Sequence, residues 1–323
     1  LEGWQCTEAE DEGGPLTLLL DRLQSVGVLP SSPGAAARAA KLALMERERT
    51  NELAEVVLED LALSFEMLRL ANTAQVRGTQ LAGAGPVLTV RRAIALLGLD
   101  GVRRGALALR NWPGPLDAEG AHDLKVLIDR CRHAGRVAVA LRPAGYDAEV
   151  VFLITLLQNL GRLLLQYHFS DEARQIQRLR EALPAAEGER AEPGLSEEVA
   201  CQAVLGVDVE QIGAAVARHW GLVDEVLVMV RRHPLSTPVR SADHDADVLR
   251  ATASCANEAV DAVALPPSLR GAALERVTQR YARLLQIGMT ELNAALKAPL
   301  RGPLEGTRAA QPANAAVSDG AAV

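Results

Sequence analysis

The segment 150–166 constrains the fold more than any other part of the chain, because it is apolar at almost every position. A helix that is apolar all round is normally buried at the centre of a bundle. We therefore expect one continuous helix over 148–168, enclosed by other helices. The polar pair Gln158 and Asn159 then lies inside the protein or at the edge of its interior, where an amide without a hydrogen-bond partner costs ~1–3 kcal/mol.

The rest of the sequence also predicts helices. Val and Ile occur mostly at helical spacing and seldom alternate with polar residues, so strand signals are almost absent. Aromatic residues make up only 3% of the chain, so Leu, Val, Ala and Ile must form the core of this all-α fold. Besides 148–168, we expect helices at about 15–25, 34–47, 52–58, 61–74, 90–98, 100–109, 119–141, 170–182, 196–204, 208–219, 222–232, 244–263 and 268–296.

The motif Trp112-Pro113-Gly114-Pro115 interrupts the helical pattern and predicts a boundary between two helical subdomains, 15–112 and 116–297. Residues 1–14 are interpreted as a linker. Residues 298–323 have few large apolar side chains and are expected to be disordered. Within the first subdomain, Thr89 is expected to cap a helix, and Gly98 to end it with a positive φ.

The overall charge limits the classes of partner. The formal net charge is −7, which excludes a basic footprint over the whole surface of the kind that binds nucleic acid. We expect no membrane association, because no apolar window is long enough to span a bilayer. The four cysteines form no C-x-x-C motif and no export signal is evident, so we expect reduced thiols and a cytoplasmic protein. Residue 1 is Leu, and we interpret the sequence as a piece of a longer protein.

Short motifs in a fixed order, over about residues 16–263, resemble the signature of HDOD domains. In the first half they are Leu29-Pro30 with Pro33, Glu52-Leu53-Ala54, Asp60, Leu63-Ser64, Leu68, Leu70-Ala71-Asn72, Ala93-Ile94 and Leu97-Gly98-Leu99. In the second half they are Arg132-His133, the stretch from Leu156 to Leu163, and Trp220-Gly221-Leu222. Leu61 departs from the pattern, because the family usually has Pro after the Asp, and we expect it to lengthen the helix locally without changing the fold.

The resemblance implies an HD-like multihelical bundle that is used without hydrolysis. HDOD modules occur in bacterial signalling proteins, where they are often fused to receiver, GGDEF, EAL, GAF or protein-kinase domains and regulate or recruit partners. We therefore expect a non-catalytic regulatory module that binds a protein partner or a small ligand.

The resemblance also assigns six residues to a degenerate HD pocket. His133 falls at the first metal-ligand position, Gln158 and Asn159 at the paired His-Asp, Asn257 near the last Asp, and His219 and His233 near histidines of two-metal relatives. Neutral amides do not replace an imidazole and a carboxylate as ligands of a divalent ion. We therefore expect no metal, no cofactor and no catalytic residue.

Two interpretations of this pocket stay open. We favour amides that are satisfied within the core, in which case Gln158→Ala lowers stability modestly and removes no activity. The alternative is a divergent HD-type metal-dependent phosphohydrolase or phosphodiesterase, which the retained His133, His219 and His233 favour. Positions near helix ends also explain His219 and His233, since the helix dipole stabilises a histidine there.

A second candidate surface lies on the helix–glycine–helix unit 89–109. Four arginines lie on this unit together with its single acid, Asp100, and a fifth follows it directly: Arg91, Arg92, Arg103, Arg104 and Arg110. The group could bind an acidic partner or nucleic acid. No aromatic residues alternate with the arginines, so we favour a solvated face or a protein-partner surface over DNA.

Overall fold

The computed structural model describes residues 14–45, 50–77, 85–181, 194–239, 242, 244–299 and 304, and of 74–77 the backbone only. These residues form helices and no strand, and one isolated bridge pairs Ser31 with Asn111. The all-α prediction is therefore confirmed. The predicted linker up to residue 13 and nearly all of the predicted tail lie outside the described residues.

Fifteen helices are described. They are α1 (Pro15–Val26), α2 (Ala35–Leu42), α3 (Thr50–Glu59), α4 (Leu61–Arg77), α5 (Val90–Ala108), α6 (Ala118–Leu141), α7 (Ala148–Leu157), α8 (Leu160–His168), α9 (Ser170–Arg180), α10 (Glu197–Leu205), α11 (Val209–His219), α12 (Asp224–Met229), α13 (Asp245–Val263), α14 (Pro267–Leu285) and α15 (Met289–Leu296).

Several helices begin at side-chain caps that the sequence signals locally. The Thr89 hydroxyl accepts a hydrogen bond from the Arg92 backbone N–H at 3.2 Å, which confirms its prediction as the cap of α5. Asp117 and Asp147 cap α6 and α7 in the same way. Such caps satisfy backbone donors that have no partner within the helix.

The expectation of one continuous helix over 148–168 is wrong. The segment is divided into α7 and α8, which are bent by 45° at residues 158–159. The Asn159 backbone N–H bonds the Leu156 carbonyl at 2.9 Å, three residues back instead of four. The Thr155 carbonyl is thereby freed, and it accepts instead from the side-chain amides of Asn159 at 3.0 Å and Asn257 at 3.3 Å.

Other boundaries also differ from expectation. The predicted helix 268–296 is two helices, because Gln286 adopts the left-handed conformation with φ 51° and ends α14. α2 ends at Leu42 and does not reach 47, and the predicted helix 222–232 covers only Asp224–Met229.

Two hydrophobic cores hold the helices together. The larger contains residues of α1 to α5 and of most helices from α6 to α12, and it includes the ring pair Phe65 and Trp220, whose centroids are 6.1 Å apart. The smaller joins α6, α13, α14 and α15, with the fully buried Tyr281 among its members. The larger core draws on both sides of Trp112–Pro115, and the subdomain boundary stays a prediction.

Within the described ranges, no single helix is long and apolar enough to cross a membrane. The bent pairs 148–168 and 197–219 pass that test only when each pair is taken together.

Beyond the break, α8 packs closely on α11. A Cβ atom on residue 161 would collide with the Val209 carbonyl oxygen, so Gly161 lets α8 pack directly on the backbone of α11. Gly213 forms the other side of the same contact. This packing holds residues 158 and 159, one turn earlier, against the centre of the molecule.

Gly98 interrupts α5 with φ 66° and ψ 168°, which confirms the predicted positive φ. This combination is almost restricted to glycine, although a Cβ atom at this position would meet no heavy atom within 4 Å.

We predict that Gly98→Ala lowers the free energy of unfolding by about 1–3 kcal/mol through backbone strain alone. Gly271→Ala is the matched control, because Gly271 lies in helical α14 with equal space and should gain about 0.5–1 kcal/mol. Equal values for the two variants in urea denaturation would contradict the assignment.

His168 should make stability depend on pH. The residue is 8% exposed, its Nε2 donates to the Val28 carbonyl at 3.3 Å, and burial lowers its pKa to about 4. Between pH 6.5 and 4 the unfolded chain takes up a proton that the folded chain does not, so stability falls as the pH falls. We predict a loss of up to about 1.4 kcal/mol per pH unit from this residue.

The measurement is urea unfolding of wild type and His168→Gln at several pH values from 7.5 to 4.5. Gln keeps a donor in place of Nε2 and does not titrate, so the difference in stability between the two proteins should change over this interval. A constant difference would show that His168 is not responsible.

Candidate functional site

The break between α7 and α8 turns Gln158 and Asn159 toward α13. Both are buried, and they form an amide cluster with Ser254 and Asn257 of that helix. The Gln158 Nε2 lies within hydrogen-bond distance of the Met229 carbonyl at 2.9 Å, and of the Arg250 carbonyl and the Ser254 hydroxyl, both at 3.2 Å. Gln158 thereby connects α7 to the end of α12 and to α13.

The remaining groups of the amide cluster bond to one another. Asn159 Nδ2 donates to Asn257 Oδ1 at 2.8 Å, and Asn257 Nδ2 donates to Gln158 Oε1 at 3.1 Å. Each of the three amides therefore uses both its nitrogen and its oxygen. Such a closed network is expensive to disturb, because removal of one member leaves others buried without a partner.

An internal cation is bonded to this cluster. The guanidinium of Arg232, in the segment after α12, donates to Asn159 Oδ1 and, at 2.7 Å, to Asp261 Oδ2. The amide oxygen of Asn159 is thus engaged by a positively charged donor. A divalent ion at this oxygen would have to displace the guanidinium or tolerate its charge.

A second arginine extends the network to α10 and α11. Arg162 donates to Glu197, to Glu210 at 2.9 Å and to the Gln158 carbonyl at 3.2 Å. Burial of Glu197 disfavours its charge, but the adjacent Arg162 guanidinium prevails and lowers the carboxyl pKa to about 2. Glu210 also accepts from the Arg232 backbone N–H at 3.1 Å, so this one carboxylate connects the Arg162 side chain to the backbone of Arg232.

A cleft of about 770 Å³ lies against this network. Asn159, Asn257, Arg162 and Arg232 are among its lining residues. Helices α6, α8, α9, α10 and α13 provide most of the remaining walls. The cleft therefore gives access to two of the residues that the resemblance assigns to the degenerate HD pocket, Asn159 and Asn257.

Two cysteines also line the cleft. Burial raises the pKa of the Cys131 thiol to about 12 and that of Cys201 to about 11. Both thiols are therefore protonated near neutral pH, and neither is available as a thiolate ligand or nucleophile.

The structure brings together only part of the predicted pocket. Gln158, Asn159 and Asn257 are in direct contact, and the His233 backbone N–H donates to Ser254 at 3.1 Å. His133 instead donates through Nε2 to the Leu296 carbonyl of α15 at 3.0 Å. His219 lines a separate cavity of about 510 Å³, near α1 and Trp220.

Sequence reasoning missed the charged half of the site, namely Arg162, Arg232, Glu197, Glu210 and Asp261. One signal was available, because Arg162 is the single charged residue within the apolar run 150–166. A charged side chain on an otherwise buried helix requires a buried counter-ion. The sequence does not indicate which acid provides it.

Three of the five arginines of the predicted surface form hydrogen bonds or ion pairs with other residues of the chain. Arg91 pairs with Glu149 at 3.4 Å, Arg92 donates to the carbonyls of Gly85 and Pro86, and Arg110 donates to the Ser25 carbonyl at 3.0 Å. Arg103 and Arg104 have no hydrogen bond or ion pair with the described residues. The surface open to a partner is therefore smaller than expected.

The donor set does not fit a divalent metal. Among the described residues, no three or more His, Cys, Asp or Glu side chains are grouped so that they could hold an ion. The side-chain oxygens of Asn159 and Gln158 already accept from Arg232, Ser254 and Asn257. We therefore derive no reaction step through a metal.

Comparison with known proteins places the fold. A profile of the HDOD domain family matches residues 29–235, which is more than half of the chain. The MmoQ response regulator from Methylococcus capsulatus has a similar structure, with 24% identity, a TM-score of 0.56, and coverage of 83% of this chain and 98% of that one.

A virulence factor from Campylobacter jejuni is similar over 87% of this chain and 94% of its own, with 17% identity and a TM-score of 0.60. At these identities the similarity to both structures extends to the fold alone. No curated protein sequence matches the chain.

The amide cluster generates a prediction for stability. Gln158→Ala removes one of the two acceptors of the Asn257 amide and leaves the Met229 carbonyl buried without its side-chain donor, so we predict a loss of about 2–4 kcal/mol in the free energy of unfolding. This exceeds the modest loss that the sequence suggested. The control is Gln175→Ala on the exposed face of α9, which should change stability by less than about 0.5 kcal/mol. Similar values for the two variants in urea denaturation would contradict the described network.

Proposed function

Because the chain belongs to the HDOD domain family, we propose that it is a non-catalytic regulatory module of a bacterial signalling protein. The family assignment rests on residues 29–235. The fold shared with MmoQ, a protein described as a response regulator, agrees with a role in signalling.

The observation that carries the proposal is the replacement of metal ligands by a closed network of amides and one guanidinium. In an HD phosphohydrolase, histidines and aspartates hold a metal that activates water for attack on a phosphate ester. Here Asn159 and Gln158 both bond to Asn257, and the guanidinium of Arg232, bonded to Asn159, supplies the positive charge. The scaffold is kept, and the groups that would bind the ion are used for internal hydrogen bonds.

We propose two routes by which such a module acts. The cleft beside Arg232 can accept a small ligand, and the half-buried Arg103 and the exposed Arg104 on α5 can contact an acidic surface of a protein partner. Candidate partners are signalling proteins or fused kinase, receiver, GGDEF, EAL or GAF domains, in a cytoplasmic setting. The net charge of −7 argues against nucleic acid as the partner.

The alternative, a divergent metal-dependent phosphohydrolase, gains no support from the retained histidines. His133 is bonded to α15, and His219 belongs to another cavity. Of the three, His233 forms a hydrogen bond with the amide cluster, but it does so through its backbone N–H and not through its ring.

The test is metal analysis of the purified chain after incubation with Mn²⁺, Fe²⁺ or Zn²⁺, together with an assay for phosphodiester hydrolysis. We predict far less than one ion bound per chain after gel filtration, and no hydrolysis above the rate in buffer. Stoichiometric metal with turnover that His133→Ala abolishes would overturn the proposal in favour of the alternative.

A positive test uses the longer protein that carries this module. Arg103→Glu together with Arg104→Glu should change the output of that protein without changing the melting temperature. Lys125→Glu, on an exposed part of α6, is the control for an added negative charge. Equal effects of both changes would remove the α5 surface from the proposal.

A further inference from the structure

Three residues that line the cleft carry buried donors that no protein atom satisfies among the described residues. They are the Nε of Arg130, the Nε of Arg232 and the Nε2 of Gln166. Each nitrogen can only donate a hydrogen bond, and a buried donor without an acceptor destabilises the protein. The three residues belong to α6, to the segment after α12 and to α8, so they reach the cleft from three different elements.

The other nitrogens of the two arginines are already used. Arg130 pairs with Asp261 at 2.6 Å, and Arg232 pairs with the other oxygen of the same carboxylate at 2.7 Å. These ion pairs fix both guanidinium groups in place. The unsatisfied Nε groups are therefore held in defined positions, as required of a preorganised binding site.

Positive charge exceeds negative charge at the base of the cleft. Four guanidinium groups, of Arg130, Arg162, Arg180 and Arg232, share three carboxylates, of Asp261, Glu197 and Glu210. Each carboxylate contacts at least one arginine, which leaves one positive charge over. Counted over all lining residues together with Glu210, six arginines face six carboxylates, so the excess is confined to the base of the cleft.

Arg178 provides a further cation at the rim of the cleft. Its side chain is exposed, it lines the cleft, and it forms no ion pair with the described residues. Arg174 pairs with Glu119 at 3.4 Å, whereas two acids of the lining, Asp123 and Glu181, also form no ion pair with the described residues. Arg178 is thus a cation of the lining that no acid among the described residues engages.

From these observations we propose that the cleft binds a small molecule through a phosphate group. The proposal rests on the proposed function, since a cleft organised around a catalytic metal would bind phosphate differently. Donors that three different elements contribute to one cleft are matched by an acceptor that offers oxygens in several directions. A phosphate group has three terminal oxygens in tetrahedral arrangement, whereas a carboxylate has two in one plane. The volume of about 770 Å³ leaves room for the rest of such a molecule.

The first experiment is calorimetric titration of the purified chain with inorganic phosphate at constant ionic strength, with malonate as the carboxylate probe. We expect saturable binding of one phosphate, accompanied by a higher melting temperature, and at least tenfold weaker binding of malonate. No phosphate binding, or equal binding of malonate, would overturn the proposal.

Gln166→Met gives the sharpest variant. The Gln166 side chain forms no hydrogen bond with the described residues, so its replacement by an apolar chain of similar length breaks no internal contact. The unliganded protein should be as stable as wild type or more stable, while phosphate binds about tenfold more weakly. The control Gln175→Met, on the exposed surface of α9 outside the cleft, should leave phosphate binding unchanged. Unchanged binding to Gln166→Met would contradict the proposal.

Arg178→Gln tests the rim cation without risk to the fold, because the side chain is exposed. Phosphate should bind several-fold more weakly to this variant, and the dependence of binding on salt should decrease. Arg103→Gln, outside the cleft, is the control and should behave as wild type. Equal loss in both variants would indicate attraction by overall charge and would overturn the site.

Failure of this proposal is distinguishable from failure of the proposed function. Inorganic phosphate cannot be hydrolysed, so its binding is measured independently of any turnover. Absence of phosphate binding leaves a regulatory role through protein partners intact. Metal-dependent hydrolysis, in contrast, would overturn the proposed function whether or not phosphate binds.

Discussion

The fold depends on which donors bond to the Thr155 carbonyl. In a regular helix this oxygen would accept the backbone N–H of Asn159, but here it accepts the side-chain amides of Asn159 and Asn257. The substitution of side-chain donors for a backbone donor ends α7 and allows α8 to leave at 45°. The bend turns α8 onto α11 and directs the amides toward α13. The site and the bend therefore have the same cause.

The charged network then determines how the surrounding helices are joined. Arg162 is only 16% exposed, and it links α8 to α10 and α11 through two carboxylates. A buried ion pair contributes little net stability, because desolvation offsets the attraction, but loss of one partner leaves an uncompensated charge and costs several kcal/mol. Such a network therefore favours one arrangement of helices over others more than it increases total stability. The shape of the cleft is fixed by this arrangement.

The sequence predicted the features that depend on neighbouring residues, and it did not predict those that depend on residues far apart in the chain. The helical class, the Thr89 cap and the positive φ of Gly98 are set by neighbouring residues, and each was predicted. The break at Gln158 and Asn159 was not, because it requires Asn257, which lies 98 positions from Asn159. The role of Arg232, 73 positions from Asn159, was missed for the same reason. Local patterns indicated buried amides but could not identify their partners.

The cleft differs from a metal site in the polarity of the groups that line it. A site for a divalent ion presents lone pairs of imidazoles and carboxylates to its centre. In this protein two of the acids that line the cleft, Asp261 and Glu197, are each engaged by two arginines, and the buried groups of the lining left without partners among the described residues are N–H donors. A cleft of this kind attracts acceptors and disfavours cations. The phosphate binding proposed for the cleft follows from this polarity and requires no change in the order of the helices.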